Sequence, residues 1–397
     1  MNIGIVLDND LNNDNRVLRE AEILKGDGHN IFVLCFGFSP KSYNPVDGIT
    51  VSRIWITKRV KNVLFFLLNI FPAYEWMWSS AISKFISVNK LDIIHTHDLY
   101  MAKCTRAGIK KSGSDIKMIL DLHENFAWSV TTYNWTKGFL RNLLSRPSAW
   151  AAKEEKYLQY ADGIVVLSQE YADKLTDKYP ALAEKKFCIL PNVPDVVKMD
   201  SLSTDPDSIP FRKRAPVMFY YGVIAERRGI FDALKVFREV ISEGHDLEFL
   251  IIGPVDKKDR SRFEQEISAK KLKGMVTYIP WIDHSLLPAY LASSDFCIAP
   301  FLVNPQHESG VANKIYEYMY GSKPVIVSAC KPQKALIEKH HCGIVYSNDA
   351  ELGSAIISLL NDSDLRVKMG SNGNQAVLTY YNTEVVEQNL KDLYNSI

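Results

Sequence analysis

The chain opens on an alternation that few folds accommodate. Residues 2–7, NIGIVL, form an unbroken apolar run of strand length. Residues 16–25, RVLREAEILK, then set apolar side chains at helical spacing, and residues 31–36, IFVLCF, form a second apolar run. Unbroken apolar strands separated by an amphipathic helix are what a parallel sheet covered on both faces demands. Further strands read at 91–98, 116–126 and 163–168, and the whole pattern restarts at PVMFYYG, 216–222. Strands at 247–253, 275–281, 295–301, 325–327 and 343–347 follow, with helices near 230–243, 349–361, 363–378 and from about 383 to the end. The spacing therefore predicts an α/β chain of two doubly wound parallel-sheet domains. A length of 397 residues agrees with two domains rather than one. We place the first at 1–197 and the second at 215–381. The polar, Pro- and Ser-rich stretch 198–214 reads as a linker.

Composition removes some classes of function. A net charge of +1 with 47% hydrophobic residues describes a globular protein and argues against a globally basic nucleic-acid binder. Six cysteines without a C-x-x-C pair fit free thiols in a reducing compartment better than disulfides or zinc. The N-terminal residues lack a charged region ahead of a long apolar one, so they read as a strand and not as a signal peptide.

The loop after the first strand, DNDLNNDNR, lacks the G-x-G-x-x-G fingerprint, which counts against a dinucleotide-binding dehydrogenase. It sets Asp14 and Arg16 at the carboxyl end of a strand, the edge where open α/β sheets bind ligands, or it is a solvated capping segment. LDIIHTHD (91–98) and IKMILDLHENF (116–126) bring His97, Asp121, His123 and Glu124 to the same edge. In the second half Gly222 ends a strand, with Arg227 and Arg228 in the loop above it, where forked guanidiniums suit oxyanions. The stretch HESGVANKIYEYMYGSKPVI, 307–326, turns at Gly310 and starts a helix near Ala312 or Asn313. A helix N-terminus with Lys314 and Glu317 three residues apart offers an anion cradle, a cation and an acceptor for hydroxyls, which suits a nucleoside diphosphate. An ordinary buried helix with solvated charges fits that stretch equally well.

Taken together and in order, these motifs resemble retaining glycosyltransferases of the GT-B architecture, glycosyltransferase family 4 in particular. The resemblance rests on D-x-R with RVLREAEIL, on DIIHTHD, LDLHE and LPNVPD, and on YYGVIAERRG, LIIG, the YIPW strand end at Pro280 and ANKIYEYMYGSKPVI. It implies two Rossmann-like domains facing a central cleft, the first for the acceptor and the second for the donor, with a C-terminal helix, 382–397, packed back on the first. It also implies that Glu317 holds the donor ribose, that Arg228 binds the diphosphate, and that Gly310, Val311, Ala312 and Asn313 form the backbone turn on it. His123 falls at an acceptor-side histidine near the reacting centre. The family's first glutamate falls on Ser309, with Glu308 one residue early, and the arginine that follows the strand-end glycine is replaced by Val223, with Arg227 as a substitute.

The resemblance implies transfer with retention, from a nucleotide sugar (UDP being the common base) to a saccharide or lipid-linked acceptor in bacterial surface polysaccharide or glycolipid synthesis. The nucleotide sugar is a substrate, no cofactor or metal is expected, and cations with a helix N-terminus take the place of one. A non-hydrolysing nucleotide-sugar epimerase and a silent binding subunit are the competing readings. Residues 58–78 join Lys58, Arg59 and Lys61 to Val63, Leu64, Phe65, Phe66, Leu67, Leu68 and Trp76, and residues 137–146 join Lys137, Arg141 and Arg146 to Phe139, Leu140, Leu143 and Leu144. Both runs are too short or too interrupted to span a bilayer. They read either as core helices or as a peripheral contact with an anionic membrane, which would place a cytoplasmic protein on the inner face of the cell membrane.

Overall fold

The computed structural model describes residues 1–39, 44, 46–270 and 272–397. The chain divides into two compact units, one formed by Met1–Leu190 with Glu387–Ile397 and the other by Pro191–Val386. In the first unit seven strands lie in the order β3-β2-β1-β4-β5-β6-β7. They are β1 (Asn2–Leu7), β2 (Asn30–Gly37), β3 (Thr50–Trp55), β4 (Ile93–His97), β5 (Lys117–Asp121), β6 (Gly163–Val166) and β7 (Lys186–Ile189). In the second unit six strands run β10-β9-β8-β11-β12-β13. These are β8 (Val217–Tyr221), β9 (Glu248–Ile252), β10 (Val276–Ile279), β11 (Phe296–Ala299), β12 (Val325–Ser328) and β13 (Gly343–Tyr346). Every described pairing is parallel. The strand order reverses between β1 and β4 in one sheet and between β8 and β11 in the other, which opens a crevice at the carboxyl ends of those strands.

The central strands form because they can be apolar along their whole length. In β1 only Asn2 is partly exposed, and β4, β9 and β11 are buried throughout. Sequence patterning did not show β3 and β7, since each lies at a sheet edge. There β3 is half-exposed, and β7 is a four-residue run ahead of a proline turn. The segment 198–214, expected to link the domains, belongs to the second unit. Residues Pro206–Ser208 form a helical turn there, Ile209 and Phe211 are buried, and Lys213 pairs with Asp295. Two apolar anchors and an ion pair explain why so polar a stretch is held.

The aromatic-rich run 58–78 is split. One helix, Lys58–Phe66, buries no residue, and a second, Ala73–Asn89, starts after Pro72 and buries Tyr74, Trp78, Ile82, Phe85 and Ile86. Proline lacks an amide hydrogen and so opens the second helix rather than continuing the first. The six cysteines are free and buried. Among the described residues no helix is long and apolar enough to cross a membrane.

The C-terminal helix, Thr383–Ser396, closes the first unit. Leu390, Leu393 and Tyr394 are buried, and Asn389 Nδ2 donates to the Ile189 carbonyl at 3.1 Å. Gly163 has no side chain because Leu393 and Ile397 fill its space; a Cβ there would lie 2.5 Å from Ile397 Cδ1. Leu390 is fully buried, so Leu390→Ala is expected to destabilise the first unit by about 3 kcal/mol. Urea unfolding measures this, and a change within ~0.5 kcal/mol would mean that the C-terminal turns are not part of that core.

Candidate functional site

The second unit gathers its charged side chains around the β8/β11 reversal. Gly222, one residue past β8, has φ +127°, and a Cβ on it would lie 2.8 Å from Lys314 Nζ. The missing side chain is therefore the space that the ammonium occupies. Lys314 is the second residue of the helix Asn313–Tyr320, whose N-cap, Ala312, offers no side-chain hydrogen bond. Its Nζ sits over the Tyr220 ring at 3.8 Å and the Phe301 ring at 5.4 Å. The Arg228 guanidinium lies on the same Phe301 ring at 4.9 Å, and its Nε is buried without a partner. Among the described residues neither cation has a carboxylate partner. Burial, and then Arg228, push the Lys314 ammonium well below its usual range, and burial lowers Arg228 as well. Aromatic faces hold the pair in place, and an anion is the ligand that such a pair and an uncapped helix N-terminus would take.

The other donor-side residues divide. Arg227 is paired with Asp256 at 3.0 Å, so its fork is already engaged, while Arg228 is unpaired. Ser309 is buried and donates to the Gln306 carbonyl at 2.7 Å, which makes it a turn-forming residue. Glu308 takes part in the same loop through its amide, which donates to the Asn304 carbonyl. Gly310 and Val311 are half-exposed ahead of Ala312, and Pro280 is exposed just past β10. Glu317 meets His284 Nε2 at 2.9 Å, and that hydrogen bond raises the imidazole pKa.

Two histidines here had escaped the sequence reading. His284 comes from a turn 33 residues before Glu317, a separation that no local pattern reveals. His307 Nδ1 lies 2.7 Å from the Leu302 carbonyl, and its ring packs on Phe301. Burial, with Arg228, Arg227 and Lys314 nearby, pushes His307 down to about 4 and keeps it neutral. Its place at the head of the 307–326 stretch was the available signal.

The first unit collects a different set at its β1/β4 reversal. Asp14 caps the helix Asn15–Gly26 by accepting from the Val17 amide at 3.2 Å. Arg16 grips Asp121 with Nε at 3.0 Å and Nη2 at 3.1 Å, donates to the Leu190 carbonyl at 2.8 Å and pairs with Glu20 at 3.0 Å. His97 is fully buried, and its Nδ1 lies 2.9 Å from Nε2 of His123, whose side chain keeps 22% of its surface exposed. Glu124 accepts from the Tyr133 hydroxyl. Of the residues read as acceptor-side, Arg16, His97 and Asp121 are thus interior groups behind His123.

Glu20 and His95 complete the cluster and were missed, because inside an amphipathic helix and a strand they read as ordinary positions. Ligand-type atoms of Glu20, His95, His97 and Asp121 lie within 4.8 Å of one another. These are donors a metal ion could use, but Arg16 already supplies a cation to both carboxylates. Burial alone would raise Asp121, yet Arg16 and the imidazoles outweigh it and hold the carboxyl well below its usual range. Burial and the neighbouring Asp121 raise Glu20 well above the ordinary carboxylic range.

Comparison with known sequences and structures follows this division. The family model described as Glycosyltransferase Family 4 matches residues 15–197, and the one described as Glycosyl transferases group 1 matches residues 203–376. The chain is similar to the alpha-D-kanosaminyltransferase of Streptomyces kanamyceticus, at 24% identity over 62% of this chain and 63% of that protein. It is also similar to the capsular polysaccharide biosynthesis glycosyltransferase CapM of Staphylococcus aureus, at 23% identity over 45% and 46%. The matches thus span less than two thirds of the length of either relative. In fold it is similar to the Anabaena protein HepE solved in complex with UDP and glucose, with a TM-score of 0.71 at 13% identity and all of both chains covered.

Asp8, just past β1, reports on the burial in this part of the first unit. Its side chain is fully buried 3.2 Å from Lys61, and burial pushes its carboxyl up to about 6 despite that lysine. The folded form therefore binds this proton more tightly than the unfolded one, so the contribution to stability is complete below pH ~4 and is lost as pH rises through about 6. Asp8→Asn should remove that fall, about 3 kcal/mol between pH 4 and 7, in urea titrations. A parent and a variant with parallel profiles would contradict it.

Proposed function

We propose that this chain, which belongs to the GT-B glycosyltransferases of the family 4-like type, transfers a sugar with retention from a nucleoside diphosphate sugar to a saccharide or lipid-linked acceptor in bacterial surface polysaccharide or glycolipid synthesis. The observation that carries this reading is the pair of uncompensated cations, Lys314 and Arg228, stacked on Phe301 beside an uncapped helix N-terminus. A diphosphate supplies the missing charge, and as it departs it gains negative charge that the same groups stabilise. No separate metal is needed for that step, and no carboxylate nucleophile of the retaining-glycosidase kind is needed either, because the leaving phosphate oxygen takes the acceptor proton on the same face.

The remaining roles follow from placement. Glu317, held by His284, accepts hydrogen bonds from the donor ribose. His123 stands at the acceptor side of the first unit. UDP as the nucleotide draws support from HepE, a protein of like fold that was solved with it, and a polysaccharide product draws support from CapM. Loss of Arg228 or Lys314 by substitution with Ala should cost ~3 kcal/mol of transition-state stabilisation and weaken UDP binding. His123→Ala should leave nucleotide affinity intact while transfer falls. Release of nucleoside diphosphate from a panel of nucleotide sugars, with and without EDTA, measures the activity directly. No release from any donor would favour a silent binding protein, and conversion of the donor sugar without release would favour an epimerase.

A membrane-facing patch fits a lipid-linked acceptor. The helix Phe139–Ser145 buries only Ser145 and leaves Phe139 83% and Leu140 68% exposed. Asn69, near the end of the 58–71 segment, donates to the Ser145 carbonyl, and Ile70, Phe71 and Trp76 are exposed nearby in sequence. With Lys137 and Arg141 beside Phe139 and Leu140 in the chain, and Lys58 and Arg59 opening the preceding helix, these side chains suit an anionic lipid surface, each cation adding ~1 kcal/mol. Anionic vesicles should float the protein at low salt and release it at high salt. Equal, negligible binding to neutral and anionic vesicles would end this part of the proposal.

A further inference from the structure

Behind His123 lies a line of buried groups whose protons must be shared out in one consistent way. His97 Nδ1 and His123 Nε2 are 2.9 Å apart, so one of them carries the hydrogen and the other accepts it. Asp121 Oδ2 is 3.6 Å from the first and 3.7 Å from the second, so it attracts that hydrogen without deciding which ring holds it. The decision falls at the far nitrogen of His97. That Nε2 is buried, makes no hydrogen bond, and faces Glu20 Oε2 at 3.7 Å. Glu20 Oε2 is buried and likewise makes no hydrogen bond, while its Oε1 lies 3.0 Å from Arg16 Nε. Two buried atoms without a hydrogen bond, His97 Nε2 and Glu20 Oε2, thus face each other, and a proton on one of them serves both.

Building on the acceptor-side role given to His123, we propose that Glu20 and His97 are positioning residues that fix the His123 tautomer, so that His123 presents Nδ1–H, a hydrogen-bond donor, on its exposed side. Glu20 as the acid turns its O–H toward His97 Nε2, 3.7 Å away. His97, a neutral ring, then carries its hydrogen on Nδ1 and donates to His123 Nε2. His123 is left with its own hydrogen on Nδ1. The groups packed around the line agree with this order. Arg16 and Glu20 face it from the helix Asn15–Gly26, His95 from β4, Asp121 from β5, Asp98 from the turn after β4, and Tyr394 from the C-terminal helix. Arg16 forks onto Asp121, which fixes the negative charge there and leaves Glu20 to take the proton. Burial, then His95 and His123, keep the His97 ring uncharged. His95 is stacked on His97 with centroids 4.8 Å apart, and Tyr394 Oη lies 2.9 Å from His95 Nδ1. The other nitrogen of His95 faces Glu20 at 3.9 Å. A donor at His123 matches a reaction in which the leaving phosphate takes the acceptor's proton, because the acceptor then needs to be held by one of its oxygens and not deprotonated by the protein.

Histidine tautomers are read from two-bond 1H–15N spectra of uniformly labelled protein at pH 7, with UDP titrations and transfer assays alongside. The parent is expected to show His123 with Nδ1 protonated and Nε2 bare, and Glu20→Gln, whose amide donates as the acid does, should keep that pattern. His97→Ala should release His123 from it and lower transfer at least about tenfold with UDP affinity unchanged, since loss of orientation alone costs rates of that order. A parent His123 protonated on Nε2 or on both nitrogens overturns the proposal, as does a switched tautomer in Glu20→Gln. Transfer by His97→Ala at the parent rate overturns it too. The spectra need no substrate, so failure of every nucleotide sugar to react would count against the glycosyltransferase reading and leave the tautomer result standing.

Discussion

The first unit depends on one buried ion pair. Arg16 reaches from the first turn of its helix to Asp121 at the end of β5, to Glu20 on its own helix, and to the Leu190 carbonyl where the unit's continuous chain ends. A buried guanidinium is tolerable only if most of its donors are used, and here a fork, a second carboxylate and a carbonyl use them. Removing it would strand an ionised Asp121 beside three imidazoles and a second carboxyl. The pair therefore does more than join a helix to a strand. It also pushes the two carboxyls of the cluster apart, holding Asp121 below the usual carboxylate range while burial and Asp121 raise Glu20 above it, which is the asymmetry the proposed sharing of protons among the histidines rests on.

The second unit solves the opposite problem. Two of its buried cations have no carboxylate partner among the described residues, and Lys314 and Arg228 share the face of Phe301 where each would normally seek an acid. Burial and the neighbouring Arg228 push the Lys314 ammonium below its usual range, and a bound anion, as in the proposed function, would offset that cost. Arg227, one residue away, is paired with Asp256 and so has its charge answered already. Neighbouring arginines thus differ: Arg227 is tied to a carboxylate, while Arg228 has none among the described residues and rests on Phe301.

Sequence alone made much of this legible, and the limits have physical causes. The apolar runs that became central strands were visible because burial on both faces leaves no alternation to misread. The edge strands β3 and β7 were not visible, since half-exposed strands look like loops. The helix Asn313–Tyr320 could be bounded to within a residue because Gly310, Gly321 and Pro324 punctuate it. Lys314 and Glu317 were legible for the same reason, through helical spacing. Arg16, His97 and Asp121 were correctly placed at one sheet edge but not in depth, because a residue number at a strand end does not say whether the side chain turns to solvent or to the core. His284 and Glu20 were invisible for a different reason: each matters only through a partner far away in the chain, His284 through Glu317 and Glu20 through Asp121 and His97.

The same distinction explains why departures from the family pattern are not all alike. Ser309 stands where a glutamate is expected, and its hydroxyl closes a turn onto Gln306. It is buried and already bonded, so it is a poor reader of a sugar hydroxyl, and the loop's remaining polar reach lies with its neighbours. His307 is one of them, with Nδ1 committed to the Leu302 carbonyl and the ring kept neutral by burial among cations. A neutral imidazole beside two unanswered positive charges keeps the site attractive to an anion, whereas a glutamate at the same place would answer one of them. Lys314 then stays without a carboxylate partner in the free protein, which is the condition on which the proposed diphosphate site rests. Substituting the expected glutamate at Ser309 should thus weaken nucleotide binding rather than restore a lost contact, and UDP titration of Ser309→Glu tests it: tighter binding than the parent would show that the missing carboxylate had been a defect.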